Sequence, residues 1–172
     1  VPCPGSFSQD DLAATLYETK DDPAVLKVVS QWRGITDRTR LLREVVSFVN
    51  RHITDKTYRH GTLSARETLT KRAGDCTEHA TLAVALLRAL GIPARNLYGL
   101  VLSEEGRFFF HQWIETFTGT DWVSADPTFG IVPADAARIV LARGNDRSLE
   151  QRENLSLATL RALQGMKISV VG

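Results

Sequence analysis

At Gly91-Ile92-Pro93 the apolar period of this chain changes from 3.6 residues to 2. A chain that reads as helices before such a point and as alternating strands after it has to pack a helical layer against an antiparallel meander, which is an α+β arrangement. Upstream, Asp21-Asp22-Pro23 is a helix start, with an acidic cap and proline at the first helical position. The helix it opens carries Val25, Val28, Val29 and Trp32 and stops at Gly34. A second helix is expected over 37–52, with Leu41, Leu42, Val45, Val46 and Val49 at helical spacing. Ser64-Ala-Arg-Glu67 is a capping box for a short helix ending near Lys71. Gly74-Asp75 then breaks the chain, and a long apolar helix follows over 76–90, stopped by Gly91 and Pro93.

Downstream, 94–102, 107–117 and 121–125 read as three strands joined by turns at 103–106 and 118–120. The segment 134–143 reads as a weak helix or a loop, 154–164 as a helix and 166–171 as a final strand. Residues 1–20 are polar and punctuated by Pro2, Pro4 and Gly5, so they read as a loosely held arm before a domain over 21–172. No internal repeat or linker divides that domain.

Composition narrows the function. Twenty-one Lys and Arg against twenty Asp and Glu leave a formal net charge of +1, so the chain has no electrostatic footprint for nucleic acid. Its most apolar run, 80–90, is interrupted by Thr81 and Arg88 and is far shorter than the roughly 18 residues a membrane span needs. Two cysteines, Cys3 and Cys76, cannot build a disulfide framework; a single bridge is conceivable, but two separate thiols are the simpler expectation. The start at Val1 rather than Met fits a processed chain or a fragment with flanking domains.

Cys76 stands where a glycine-containing turn enters a helix. There the macrodipole and unpaired N–H groups favour thiolate and could also hold a developing oxyanion, although a lone cysteine in an apolar helix is most often packing. His111 lies in Phe108-Phe-Phe-His-Gln-Trp-Ile-Glu115, and Asp126 ends the following strand. A two-residue turn at Thr118-Gly119 would set His111 and Asp126 directly opposite each other, about 4.5–5.5 Å apart at Cβ, close enough for a carboxylate–imidazole hydrogen bond. A thiol near an imidazole held by a carboxylate is the arrangement of an activated nucleophile.

The run Lys71-Arg-Ala-Gly-Asp-Cys-Thr-Glu-His-Ala80, with the later blocks Phe110-His-Gln-Trp-Ile-Glu115 and Trp122-Val-Ser-Ala-Asp-Pro-Thr128, resembles the three ordered motifs of the transglutaminase-like superfamily. The resemblance covers 21–131 and weakens toward the C-terminus. It implies a papain-like core with a triad in which Cys76 is the nucleophile, His111 the base and then the acid, and Asp126 the residue orienting His111. It further implies acyl transfer on a protein or peptide amide through a thioester. Deamidation or proteolysis is the hydrolytic alternative, and a non-catalytic protein-binding module of a larger chain is a third. The resemblance implies no metal or organic cofactor, and no calcium loop of the EF-hand pattern is present. Many bacterial relatives of this kind are extracytoplasmic, which points to the periplasm or cell surface.

Neighbouring residues divide between site and scaffold. With a hairpin at 103–106, Tyr98 would face His111, making it a candidate cleft or oxyanion residue. Trp113, two residues from His111 on the same strand face, either walls the cleft or fills the core. Gln112 points the other way and is expected to have no catalytic role. His79 is expected to bond structurally within its helix, and Cys76-x-x-His79 lacks the second ligand pair a zinc site needs. His52 and His60 read as surface residues, and Arg38, Arg40 and Arg43 as a solvated helix face.

Overall fold

A computed structural model of the chain describes residues 6–57 and 61–145, with 150, 154, 157 and 161 beyond them. Among the described residues four α-helices precede the sheet: α1 (Pro23–Val29), α2 (Arg38–His52), α3 (Ala65–Lys71) and α4 (Cys76–Ala89). Each begins where a local signal dictates. Asp22 accepts from the Ala24 N–H, Asp37 from Thr39 and Arg40, and Ser64 and Glu67 close a reciprocal capping box. The apolar stripe of α2 buries Leu41, Leu42, Val45, Val46 and Val49, each contributing about 1.5–3 kcal/mol of burial. α4 is buried from Glu78 to Arg88, as befits a helix apolar on every side. It is the central rod of the core, packed by α1, α2 and α3 on one side and by the sheet on the other.

The sheet is antiparallel with strand order β3-β2-β1-β4, from β1 (Ala94–Leu102), β2 (Phe108–Phe117), β3 (Trp122–Ala125) and β4 (Arg138–Gly144). The fourth strand replaces the helix or loop expected at 134–143. Its pairing with β1 is interrupted by a register shift at Tyr98/Gly99, so it carries no clean alternation for a sequence reading to detect. Gly99 is required at the shift, because a Cβ there would lie 1.9 Å from the Ile139 carbonyl oxygen.

Residues 6–20 differ from the loose arm expected of them. The Trp122 indole N–H donates to the Ser6 carbonyl at 3.0 Å, Phe7 packs on Phe117, and Ala65 N–H donates to the Tyr17 carbonyl. Glu18 is fully buried, accepting from Asn96 and lying 3.9 Å from the Arg88 guanidinium. Of the segment's polar residues, Asp11 and Glu18 are buried, where polar groups need partners. Cys3, His60 and the proposed strand at 166–171 lie outside the described residues. Of the helix expected over 154–164, residues 154, 157 and 161 are helical.

Candidate active site

Gly74 makes the turn into α4. Its φ of +147° lies in the range that favours glycine, and a Cβ there would sit 2.2 Å from the Glu78 Cβ. Asp75 caps the helix by accepting from Thr77 N–H, while Glu78 reaches back to the Asp75 N–H at 3.0 Å. This box fixes Cys76 as the first residue of α4. β3 ends opposite Ile114, which leaves the rest of that edge of β2 open, and the Gln112 backbone there acts on the Cys76 thiol, favouring its charged form. The nucleophile candidate therefore stands near β2 at the residue next to His111. Gln112 contributes through its main chain, a contact that no side-chain pattern announces.

His111 Nε2 and Asp126 Oδ2 are 2.7 Å apart, and Asp126 is wholly buried. The sequence expectation of direct opposition is corrected. The turn spans Thr118–Asp121, closed by Thr118 N–H to the Asp121 carbonyl. Ala125 consequently faces Ile114, where a two-residue turn would have set it opposite Gln112. The register moves by two, an even shift that keeps the same strand face, and the pair meets diagonally. After Ala125 the chain folds over itself: Asp126 and Ile131 exchange both backbone hydrogen bonds, and Asp126 Oδ1 accepts from the Thr128 and Phe129 N–H groups. Asn50 on α2 donates to the Pro127 and Thr128 carbonyls and anchors that turn.

Arg138, which the sequence reading missed because β4 was not foreseen, donates to Asp126 Oδ2 through Nε at 2.8 Å and Nη2 at 2.7 Å. Burial alone would raise the Asp126 carboxyl, but the hydrogen bonds and charges of His111 and Arg138 hold it below the usual carboxylate range. The imidazole is enclosed by two rings, Trp113 stacked at 5.9 Å and Phe129 at 5.3 Å. With Asp126 accepting from Nε2, Nδ1 is the nitrogen left to take a proton.

The Cys76 thiol departs from the sequence expectation. Burial pushes it up to about 11, against the lowering hydrogen bonds from the Gln112 backbone and the Thr77 side chain, and the carboxylates of Asp75 and Asp126 raise it further. The resting form is the thiol. His79 takes the structural part expected of it: Nδ1 lies 2.6 Å from the Asp75 carbonyl, and burial pushes the ring down to about 4. His52 is half-buried rather than a surface residue, stacked on Phe48 with Nε2 2.9 Å from the Leu69 carbonyl.

Tyr98 and Trp113 do not wall a cleft; each is 1% exposed. The 103–107 loop carries Gly106 at φ +75° and pairs Leu102 with Phe108, not Arg107. That odd shift of one sets Tyr98 opposite Gln112 and puts Gly99 opposite His111. The open cleft beside His111 has a volume of about 700 Å³ and is walled by Phe109, Phe110 and Phe129. Among the described residues no group of three or more His, Cys, Asp or Glu could hold a metal ion, and no helix is long and apolar enough to cross a membrane.

Comparison with known proteins agrees with this fold. The sequence model of the transglutaminase-like superfamily matches residues 27–127. Uncharacterized proteins of Mycobacterium bovis (Mb2599c) and Mycobacterium tuberculosis (Rv2569c) are each 32% identical over 123 residues, covering 62% of this chain and 38% of theirs. The match thus spans well under half the length of those relatives. A candidate cysteine protease from Cytophaga hutchinsonii superposes with a TM-score of 0.66 at 25% identity, covering 78% of this chain and 46% of that one. The periplasmic domain of TgpA from Pseudomonas aeruginosa (TM-score 0.54, 23% identity, 70% and 46% covered) shares the fold. So does LapG of Legionella pneumophila (TM-score 0.53, 16% identity, 87% and 99% covered).

Proposed function

Because this chain belongs to the transglutaminase-like superfamily, we propose that it is a cysteine-dependent enzyme that transfers the acyl group of a protein or peptide amide through a thioester on Cys76. His111 Nδ1 takes the thiol proton as Sγ attacks the carbonyl carbon. The N–H groups at the start of α4 stabilise the oxyanion. The C–N bond then breaks, the leaving nitrogen takes the proton from His111, and a thioester remains. An amine or a water attacks that thioester, giving its proton to His111, which returns it to the departing sulfur. Asp126, held ionised by Arg138, keeps His111 oriented and stabilises the imidazolium in between.

The observation that carries this reading is the buried 2.7 Å His111–Asp126 hydrogen bond, one residue along β2 from Gln112, whose backbone acts on the Cys76 thiol. A resting thiol fits a mechanism in which His111 acts as base during attack rather than one with a preformed ion pair. Hydrolysis is the second reading, favoured by the likeness to the Cytophaga hutchinsonii candidate cysteine protease. A protein-binding module without catalysis is the third, favoured by the high thiol alone. With Cys3→Ser as background, iodoacetamide labelling of Cys76 at pH 7 should slow at least tenfold in His111→Ala. Equal rates in the two proteins would reject an activated thiol and leave the binding module.

A further inference from the structure

Phe109, Phe110 and Phe129 are exposed by 48, 45 and 56%, and all three wall the cleft beside His111. Exposed rings gathered around one concavity mark a binding surface rather than scattered surface apolarity. Two of them immediately precede His111 on β2, and the third rests on its imidazole, held there by the Asp126 turn. The apolar wall therefore runs up to the proton-transferring ring. The volume of about 700 Å³ lies within the roughly 300–1,000 Å³ of ordinary ligand sites and exceeds what one small side chain would need.

The polar part of the lining has one sign in excess. Glu104, Glu105 and Asp135 stand on the rim, and Arg138, the cation of the lining among the described residues, is already shared by Asp126 and Asp135. Arg107, nearby over the Phe109 ring, is paired with Glu105. An acidic side chain would meet carboxylates there, with the described cations of the lining already committed.

His111 is itself part of the lining, so the cleft adjoins the residue that moves the proton. Resting on the acyl-transfer reading above, we propose that this cleft is a substrate subsite, and that it takes a bulky apolar residue, aromatic or branched aliphatic, next to the amide that reacts. The specificity would then sit in Phe109, Phe110 and Phe129, with the acidic rim excluding Asp and Glu at that position.

The test needs no natural substrate. In the Cys3→Ser protein, the rate of Cys76 alkylation is measured by mass spectrometry with iodoacetyl-phenylalaninamide, iodoacetyl-glycinamide and the iodoacetyl amide of glutamate, each normalised to its rate with N-acetylcysteine. These reagents share one reactive carbon and carry different side chains at the same distance from it. The phenylalanine reagent should exceed the glycine reagent at least tenfold, and the glutamate reagent should be the slowest. In Phe109→Ser and Phe110→Ser, which change exposed side chains, the Phe/Gly ratio should fall at least threefold. A ratio near one in the parent protein, a glutamate reagent faster than the phenylalanine one, or a ratio unmoved by both substitutions would overturn the subsite. His111→Ala separates the two ideas. If it leaves all the rates unchanged while the Phe/Gly preference persists, the acyl-transfer reading fails and apolar binding by the cleft stands.

Discussion

Cys76 and Arg138 show how single residues set the chemistry. The native state favours the neutral Cys76 thiol, pushed up to about 11 by burial. Stability from this source is complete below the free-thiol value of about 8.5 and is lost as pH rises through about 11. Between pH 8 and 11 the parent protein should lose about 2–3 kcal/mol more stability than Cys76→Ala, read from urea denaturation at both pH values. Parallel losses would show that the thiol is not desolvated. Arg138→Gln removes two donors from the Asp126 carboxylate, so burial would then drive its proton affinity upward. Labelling of Cys76 should fall about tenfold near pH 6, with the acid limb of the pH profile displaced upward. Arg138→Lys should restore part of the profile, whereas a purely structural arginine would lower the rate without moving the limb.

At the scale of elements, the helix that bears Cys76 depends on Gly74 and its capping box. Gly74→Ala introduces a Cβ into the Glu78 side chain at a backbone angle that L residues rarely adopt, and it should cost about 2–4 kcal/mol in urea denaturation. Gly61→Ala is the control: it also has positive φ but faces open space, so it should cost only the backbone strain of about 1–2 kcal/mol. If the two cost the same, the Gly74 requirement is one of backbone angle alone and not of contact with Glu78. The helix starts were legible because Asp22, Asp37, Ser64 and Asp75 act on N–H groups two or three residues away. Strand pairings were legible only to the nearest turn: a turn longer by two kept His111 and Asp126 together, whereas a loop longer by one moved Tyr98 away from His111.

Across the whole molecule, Arg88 joins parts of the chain that are far apart in sequence. Its guanidinium donates to the Ala94 carbonyl at 3.0 and 2.8 Å and to the Ala13 carbonyl at 2.9 Å, bonds Asn145 beyond β4, and lies 3.9 Å from Glu18. Arg88→Met keeps the volume of the stem but leaves the Glu18 carboxylate buried without its cation, so it should destabilise by about 3–5 kcal/mol. Adding Glu18→Gln should recover part of that loss in urea denaturation. Full additivity of the two single changes would mean the charges do not interact.

Local rules along the chain were enough for the helical half and the order of the first three strands, and together with the family resemblance they singled out Cys76, His111 and Asp126 as candidates. Caps and periodicities act over a few residues, and parity along a strand survives an even error in register. The remainder depended on contacts between distant segments. β4 exists through its pairing with β1, Arg138 reaches Asp126 because of that pairing, and residues 6–20 are held by partners up to 134 positions away. Burial, too, is a property of the assembled molecule: it kept Tyr98 and Trp113 inside, set Phe109, Phe110 and Phe129 at the cleft, and turned a helix-terminal thiol toward its protonated form.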